Sequence, residues 1–379
     1  MPADRAQDRS IPALHPATER VERLREAALD RGDAQQDHNW RMVSFERDLY
    51  AGESLVETAG DRFWVRRRGH AIANILRNAT VSIGPDELLV GRPYLAEPSG
   101  DEAQRLEKAR EYLAAQPSAF GQTGHQAVDI PRLLNLGARG IQAEVRIRRD
   151  ALDPTDPENL PKIAFYDAAE AALDGLCEYA AHYARQAERL AAKTDDPNRR
   201  QELEEIAERC RRVPAHPART FAEALQAVNF VNSTLHWAQG AHLVCPGHPD
   251  RWLWPYYERD TAEGRITPAQ AQELLDCFNI LINETVGRGL AIGTMIGGRD
   301  KTGADVTNTV SYMCLQSVRN VRLSYPGLGI CWHPETPDSL LDFGCEVLSE
   351  MGANPAIFND EVITQGLMNA GVAPEEACE

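Results

Sequence analysis

His125 and Asp129 lie four residues apart in a stretch rich in glycine and polar side chains, residues 120–132 (FGQTGHQAVDIPR). In one interpretation the two side chains contact each other and fix a turn. In the other, the carboxylate orients the imidazole toward a ligand, as carboxylates do for functional histidines. The residues alone leave both interpretations open and indicate a polar pocket without a defined chemistry.

A second group of candidate residues is His242, Cys245 and His248, which precede an aromatic-rich stretch. Imidazole and thiolate are ligands of zinc, but zinc sites use three or four of them in a tetrahedral arrangement. The neighbouring sequence supplies no fourth ligand. The pattern therefore favours a turn followed by a packed aromatic helix, and we predict no metal site.

Sequence motifs with a known mechanism do not narrow the chemistry further. The chain contains no G-x-x-x-x-G-K-[ST], G-x-G-x-x-G or G-x-S-x-G pattern, which excludes the common phosphate-loop, dinucleotide and nucleophile-elbow signatures. The short run Gly297-Gly298-Arg299-Asp300 is too weak on its own to indicate a phosphate loop.

Composition limits the class of protein. The 379 residues carry a net charge of −17, which disfavours a nucleic-acid partner. The eight cysteines include no C-x-x-C pair, as is usual in a reducing compartment. The N-terminus is polar and has no signal-peptide core, and no apolar run approaches the roughly 20 residues of a membrane span. We therefore predict a cytoplasmic protein without a membrane partner.

The last stretch of the chain alternates strands with helices. Short apolar runs predict buried strands at residues 290–296, 327–332 and 355–358, with helices between them. Thr336 is the expected N-cap of the second helix, with Pro337 at its first position, and Gly352 is its expected C-cap. Strands alternating with helices of this length form parallel βαβ units, so we predict an α/β fold with function at the C-terminal ends of the strands.

The preceding part of the chain is predicted to be mainly helical. Residues 1–20 are polar and contain three prolines, which predicts a mobile N-terminal arm. Thr220…Glu223 and Thr267…Gln270 are predicted capping boxes. Helices are predicted over residues 21–29, 44–51, 63–78, 102–115, 160–192, 199–212, 220–237 and 267–284 and after residue 140, with an extended segment at 88–91.

Several stretches resemble the large domain of pyruvate formate-lyase and its relatives, the glycyl radical enzymes. In chain order they are 217–226 (PARTFAEALQ), the CPG…D…YY pattern of 245–257, Gly297-Gly298-Arg299, 308–315 (NTVSYMCL), Arg319-x-x-Arg322 and 354–362 (NPAIFNDEV). The match is collinear from about residue 20 to the end. No single motif is decisive, and the resemblance rests on their order and spacing.

The resemblance implies a fold and a set of partners. It implies helical layers around a parallel-stranded half of a ten-stranded α/β barrel, with residues 21–379 as the N-terminal portion of a pyruvate formate-lyase-type domain. Complete family members carry a glycyl radical, installed by a radical S-adenosylmethionine activase, that passes to a cysteine inside the barrel. A small-molecule substrate, the activating enzyme and a homodimer are the expected partners.

The chain departs from the family pattern at its end. The family's catalytic cysteine lies in a Gly-Cys-Val-Glu loop, which is expected beyond Glu379, as is the radical-bearing glycine; Cys378 is not flanked by that motif. We therefore expect the N-terminal part of a longer enzyme, and no radical catalysis by this polypeptide alone. The alternatives are an inactive fragment or scaffold, or one half of a split enzyme.

Four residues are expected to bind substrate on the strength of the resemblance. His125 takes the position of the substrate-binding arginine of pyruvate formate-lyase, and Asp129 follows four residues later. Cys245 takes the position of a serine, and Asp250 matches the acid that follows it. A histidine lacks the guanidinium fork that binds a carboxylate in a bidentate manner. This favours the dehydratase or lyase branch, which cleaves C–O, C–N or C–C bonds of small polar substrates, over pyruvate as substrate.

Overall fold

The computed structural model describes residues 11–34, 44–117, 124–285 and 292–377. The chain divides into two compact units. Met1–Arg31, Cys245–Asn283 and Ala291–Glu379 form the strand unit, and Gly32–Val244 with Glu284–Leu290 form the helical unit. Among the helices of the described residues, none is both long and apolar enough to cross a membrane.

The helical unit consists of helices and one small sheet. Its helices are α2 (Phe45–Glu57), α3 (Trp64–Asn78), α4 (Asp101–Ala114), α5 (Ile130–Asp150), α6 (Leu160–Ala191), α7 (Pro197–Arg212) and α8 (Phe221–Trp237). The strands β1 (Gly124–Ala127) and β2 (His242–Cys245) pair with each other. The predicted helices are confirmed, but α2 continues to Glu57, past its predicted end at residue 51. The predicted start of a helix after residue 140 is wrong, because α5 begins at Ile130 and continues through a kink at Gly137. Residues 118–123, which include part of the predicted polar loop, lie outside the described residues.

Small residues allow α3 and α6 to pack closely. A Cβ atom added at Gly69 would lie 2.4 Å from the Cα of Ala168, and one added at Gly175 would lie 2.7 Å from the Cα of Ala73. The two helix backbones therefore meet at two points where only glycine fits. Further along α6, Ala180, Ala184, Ala187 and Ala191 are at most 5% exposed.

The predicted extended segment at residues 88–91 is held by polar side chains of α8. Gln226 forms hydrogen bonds with both backbone groups of Val90. Its Oε1 accepts from the amide at 3.0 Å, and its Nε2 donates to the carbonyl at 2.6 Å. Asn229 donates to the same carbonyl, and Ser233 donates to the carbonyl of Gly91. Buried backbone groups need such partners, so these side chains replace a neighbouring strand.

The strand unit alternates helices with parallel strands. Its elements are α1 (Glu19–Ala34), α9 (Pro249–Ala262), α10 (Pro268–Thr285), β3 (Gly293–Gly297), α11 (Thr309–Val321), β4 (Gly327–Trp332), α12 (Asp338–Met351), β5 (Ala356–Asn359), α13 (Asp360–Asn369) and α14 (Pro374–Ala377). The sheet order is β3-β4-β5, and both pairings are parallel. The α/β fold with helical layers and parallel strands is thus confirmed, whereas the half-barrel stays a prediction.

Two predicted helix starts are wrong in detail. Pro337, not Thr336, is the N-cap of α12, because the hydroxyl of Thr336 instead accepts from the backbone amide of His333 at 2.9 Å. The box at α8 is only half formed. Thr220 accepts from the amide of Glu223, but the Glu223 carboxylate accepts from the amide of Arg219. The box at Thr267 and Gln270 is reciprocal, as predicted.

The ends of the predicted N-terminal arm, the first predicted strand and α12 compare with the structure as follows. Of the predicted arm, residues 1–10 lie outside the described residues, and α1 begins at Glu19. The first predicted strand began at Leu290; residues 290 and 291 lie outside the described residues, and β3 begins at Gly293. Cys378 also lies outside them. Gly352 is the left-handed C-cap of α12, with φ of 75°, as predicted.

The close contact of α3 with α6 gives a test of the packing. We expect Gly69→Ala to lower the free energy of unfolding by about 1–3 kcal/mol, because the added methyl group overlaps the backbone of Ala168. This loss opposes the gain that alanine normally brings in a helix. Urea unfolding measures the change. Gly366→Ala is the matched control, since Gly366 lies within α13 and nothing lies within 4 Å of a Cβ there; equal effects of the two changes would contradict the close packing.

Candidate functional site

The turn after β3 marks the C-terminal edge of the parallel sheet. Gly297 and Gly298 have φ angles of 67° and 82°, which L-residues with side chains rarely adopt. At Gly298 an added Cβ would also lie 3.0 Å from the Cβ of Cys331. Glycine is therefore required here both for the backbone conformation and for space. In open α/β sheets ligands bind at this edge.

Asp250, in the first turn of α9, holds this turn from below. Its Oδ2 accepts from the amide of Gly297 and from the hydroxyl of Ser311, both at 2.7 Å. Its backbone oxygen accepts from Nδ2 of Asn308 at 3.0 Å. The side chain is fully buried, and this burial raises the pKa of the carboxyl to about 6. Asp250 thus joins α9, β3 and α11, and direct contact with a substrate stays a prediction.

Arg251 binds the same turn from its carbonyl side. Its Nη2 donates to the backbone oxygens of Gly297 and Arg299, at 3.2 and 3.1 Å. Consecutive residues of α9 therefore bind both the amide and the carbonyls of one glycine turn. The sequence analysis missed Arg251, because its partners lie more than 45 residues further along the chain.

The segment from Cys245 to His248 runs beside β3. The amide of Met295 donates to the oxygen of Gly247 at 2.9 Å, and Gly247 forms a parallel bridge with Thr294. Cys245 is half-buried. Burial and, to a lesser extent, the neighbouring Arg251 lower the pKa of His248 to about 4, so its imidazole is neutral near pH 7.

The predicted contacts of His125 and His242 involve side chains that lie outside the described part of the structure. The backbone of His125 lies in β1, but the side chains of His125 and His242 are not described. Asp129 is exposed and caps α5, where its Oδ1 accepts from the amide of Arg132 at 3.0 Å. The carboxylate therefore has a structural role in starting a helix. Among the described side chains, no group of three metal-binding residues lies together.

The four predicted site residues belong to different units. His125 and Asp129 lie in the helical unit, and Cys245 and Asp250 lie in the strand unit. Cys245 and Asp250 flank the short segment beside β3, so the structure places these two on the same strand-to-helix connection. Their assignment to substrate binding stays a prediction.

A buried histidine at the end of β4 was not predicted. His333 is fully buried, and its Nδ1 accepts from the amide of Glu335 at 3.2 Å. The proton of a neutral ring must then lie on Nε2, which is 3.0 Å from Oδ1 of Asp305 and donates to it. This pair ties the end of β4 to the loop after β3. A histidine directly after a buried strand was the signal that could have found it.

An open cleft of about 720 Å³ lies at the C-terminal ends of β3 and β5. Its size falls in the range of small-molecule sites. Within it, Nη2 of Arg299 donates to Oε1 of Glu361 at 2.7 Å. The lining residues are Arg299, Asp300, Lys301, Gly303, Asp360, Glu361, Val362, Thr364, Gln365, Gly366 and Asn369. The cleft is rich in charged groups of both signs.

The burial of Asp250 predicts a specific pH dependence of stability. A folded-state pKa of about 6 lies above the value of about 3.9 of an unfolded aspartate, so the folded protein binds this proton more tightly. The contribution of Asp250 is therefore present below pH 4 and is lost as pH rises through 6. Asp250→Asn removes the titration, and its unfolding free energy relative to wild type should rise by about 2–3 kcal/mol between pH 4 and 7.

Urea unfolding of both proteins at several pH values measures this difference. Asp342→Asn is the control, because Asp342 is exposed on α12. The difference in unfolding free energy between this variant and the wild type should not change with pH. Parallel pH profiles of wild type and Asp250→Asn would contradict the buried-carboxyl interpretation.

Comparison with known proteins supports the family resemblance. Residues 99–379 match the pyruvate formate lyase-like family. An isethionate sulfite-lyase from Nitratidesulfovibrio vulgaris is 35% identical over 282 residues, which cover 70% of this chain and 34% of that protein. The chain therefore spans about a third of the length of this relative.

Solved structures give the same result. A B12-independent glycerol dehydratase from Clostridium butyricum, bound to glycerol, superposes with a TM-score of 0.86 and 26% identity, covering 97% of this chain and 54% of that one. A glycyl radical enzyme from Archaeoglobus fulgidus gives a TM-score of 0.83 and 27% identity over 95% of this chain and 54% of that one. The chain belongs to the pyruvate formate lyase-like family, and within it resembles the glycyl radical dehydratases and lyases.

Proposed function

We propose that this chain forms part of a glycyl radical dehydratase or lyase that removes a polar group from a small hydroxylated substrate. The observation that carries the proposal is its 35% identity to an isethionate sulfite-lyase. Its superposition on a glycerol dehydratase adds support, since 97% of the chain is covered. The names of both relatives describe the loss of a group, sulfite or water, from a small molecule with a hydroxyl group.

The proposed task of this chain is to bind and orient the substrate. A glycyl radical would supply hydrogen abstraction in the complete family member, and we propose that an activase installs it there. His125 offers hydrogen bonds to a hydroxyl group without the positive guanidinium that a carboxylate substrate would need. Cys245 and Asp129 are further proposed contacts. Asp250 would act by holding the Gly297 turn and Ser311 in place.

The edge of the sheet at β5 supports the proposal that more polypeptide packs here. All four residues of β5 are exposed. Exposed apolar side chains continue into α13, namely Ile357, Phe358, Val362, Ile363 and Leu367, which are 41–65% exposed. Open strand edges and apolar patches mark interaction surfaces. A separate chain that packs here would correspond to the split-enzyme alternative.

The proposed radical chemistry also bears on the cellular compartment and the assembly of the protein. We propose a cytoplasmic, anaerobic protein that dimerises when complete. The eight cysteines of the sequence include no C-x-x-C pair, which is in keeping with a reducing compartment.

The decisive experiment is anaerobic expression of the native gene, read through to its own stop codon, together with the activase. Electron paramagnetic resonance should detect a glycyl radical. The activated protein should then release sulfite from isethionate, or form an aldehyde from glycerol or 1,2-propanediol. Absence of the radical would contradict the radical-enzyme proposal. A radical without turnover of any of these compounds would contradict the proposed substrate class, and recovery of activity only with a second chain would favour the split enzyme.

The role of His125 can be tested in the activated protein. We expect His125→Ala to lower kcat/KM by about 10- to 100-fold, because loss of one hydrogen bond to a buried polar group costs about 1–3 kcal/mol. Initial rates over a range of substrate concentrations measure this effect.

Asp129 provides the matched comparison. Asparagine is as good an N-cap as aspartate, so Asp129→Asn should keep α5 intact. If Asp129 contacts substrate, this variant should raise KM while the melting temperature stays unchanged. Unchanged KM would leave the carboxylate only its capping role, and unchanged kcat/KM in His125→Ala would contradict the proposed contact of the histidine.

A further inference from the structure

The N-terminal segment, residues 11–31, packs within the strand unit on α10 and α11. Val21 is fully buried in an apolar cluster with Ile280 of α10 and Val321 of α11. Ala17, Leu24, Ala28 and Leu323 pack around these three. The apolar face of α1 is therefore used for docking, and burial of this surface supplies the main attraction.

Polar contacts flank this cluster. The hydroxyl of Thr18 donates to Oε1 of Glu273 on α10 at 2.6 Å. The backbone oxygen of His15 accepts from Nδ2 of Asn320 on α11 at 3.1 Å. Further along, Arg322 forms an ion pair with Glu22. The segment thus contacts one face of α10 and the last turn of α11.

Asp276 lies on the face of α10 that the segment covers. Glu273, Asp276 and Ile280 are spaced by three and four residues, so they share one side of the helix. Glu273 contacts Thr18 and Ile280 contacts Val21. The carboxyl between them is only 1% exposed. The segment therefore helps to seal Asp276 from water.

The partners of Asp276 all donate hydrogen bonds to it. Nε2 of Gln272 donates to Oδ1 at 2.9 Å, and Nδ2 of Asn320 donates to Oδ2 at 2.7 Å. The hydroxyl of Ser317 also bonds to the carboxylate. The same Nδ2 of Asn320 donates to the oxygen of His15. One amide therefore connects the buried carboxylate to the N-terminal segment.

Within the described part of the chain, the hydrogen-bond partners of this carboxylate are two amides and a hydroxyl, and none of them is a cation. Burial is the largest influence and raises the pKa of Asp276 to about 7; the hydrogen bonds lower it, and nearby Glu273 raises it. The other ionisable groups nearby are Cys314 on α11, whose own thiol pKa is raised by burial and by Asp250 and Asp276, and His15 on the segment. The ion pair of Glu22 with Arg322 also lies at this contact.

From this arrangement we propose that Asp276 makes docking of the N-terminal segment pH-sensitive, with the segment held firmly in acid and more loosely above neutral pH. The sign follows from linkage. When the segment lifts, water reaches the carboxyl, and its pKa falls toward the ordinary value of about 4. The docked state therefore binds the proton more tightly, so docking weakens as pH rises, by at most about tenfold per pH unit.

Hydrogen exchange of the full chain tests the proposal. Protection of the α1 amides, corrected for intrinsic exchange, should fall by about 10- to 100-fold between pH 5 and 7 and then stay level to pH 9. In Asp276→Asn, which keeps the shape of the side chain, protection should not depend on pH. The melting temperature of each variant, measured in parallel, shows whether it is folded.

Two further variants separate other causes. Asn320→Ala removes the amide that joins the carboxylate to His15, so α1 protection should be lower at every pH while the pH slope remains. His15→Gln removes the imidazole of the segment and keeps the backbone oxygen that accepts from Asn320, so the slope should remain. The proposal would be overturned if α1 protection in the wild type did not change with pH. It would also be overturned if the pH slope stayed unchanged in Asp276→Asn, or if the slope disappeared in His15→Gln.

Discussion

The strand unit depends on a carboxylate that is buried without a neutralising ion pair. Placing Asp250 in the interior has a large desolvation cost, which is partly offset because its Oδ2 accepts from the Gly297 amide and the Ser311 hydroxyl. Its position in the first turn of α9 adds a favourable interaction with the helix dipole. Without this residue, the amide of Gly297 in the turn after β3 would lose its hydrogen-bond acceptor.

The same device recurs wherever irregular backbone is buried. Side chains of α8 bind both backbone groups of Val90, and Arg251 binds the carbonyls of the turn that Asp250 holds by its amide. At these places, polar residues in the interior satisfy backbone groups that no strand reaches. This limits inference from residue type, because Asp129 and Asp250 were selected as ligand contacts and both have a backbone amide as partner.

Features that arise within one segment of chain were predicted well. Apolar periodicity located α3, α6 and β4, and the glycine after α12 was recognised as its cap. Caps failed where two backbone amides compete for one acceptor, as at Thr336, whose hydroxyl accepts from the amide of His333 instead of starting the helix. Arg251 and the pair of His333 with Asp305 could not be predicted, because their partners lie 28 to 48 residues away and only the folded sheet brings them together.

Helix α11 contacts two buried carboxyls of the strand unit, those of Asp250 and Asp276, which differ in pKa. Ser311, at its N-terminal end, binds Asp250, whereas Ser317 and Asn320, near its C-terminal end, bind Asp276. The positive end of a helix dipole favours a carboxylate and the negative end disfavours one. Burial raises both pKa values, to about 6 for Asp250 and about 7 for Asp276; nearby Arg251 lowers the pKa of Asp250, and nearby Glu273 raises that of Asp276. The end of α11 that contacts the N-terminal segment therefore carries the carboxyl with the higher pKa, while Asp250 at the other end holds the glycine turn in place.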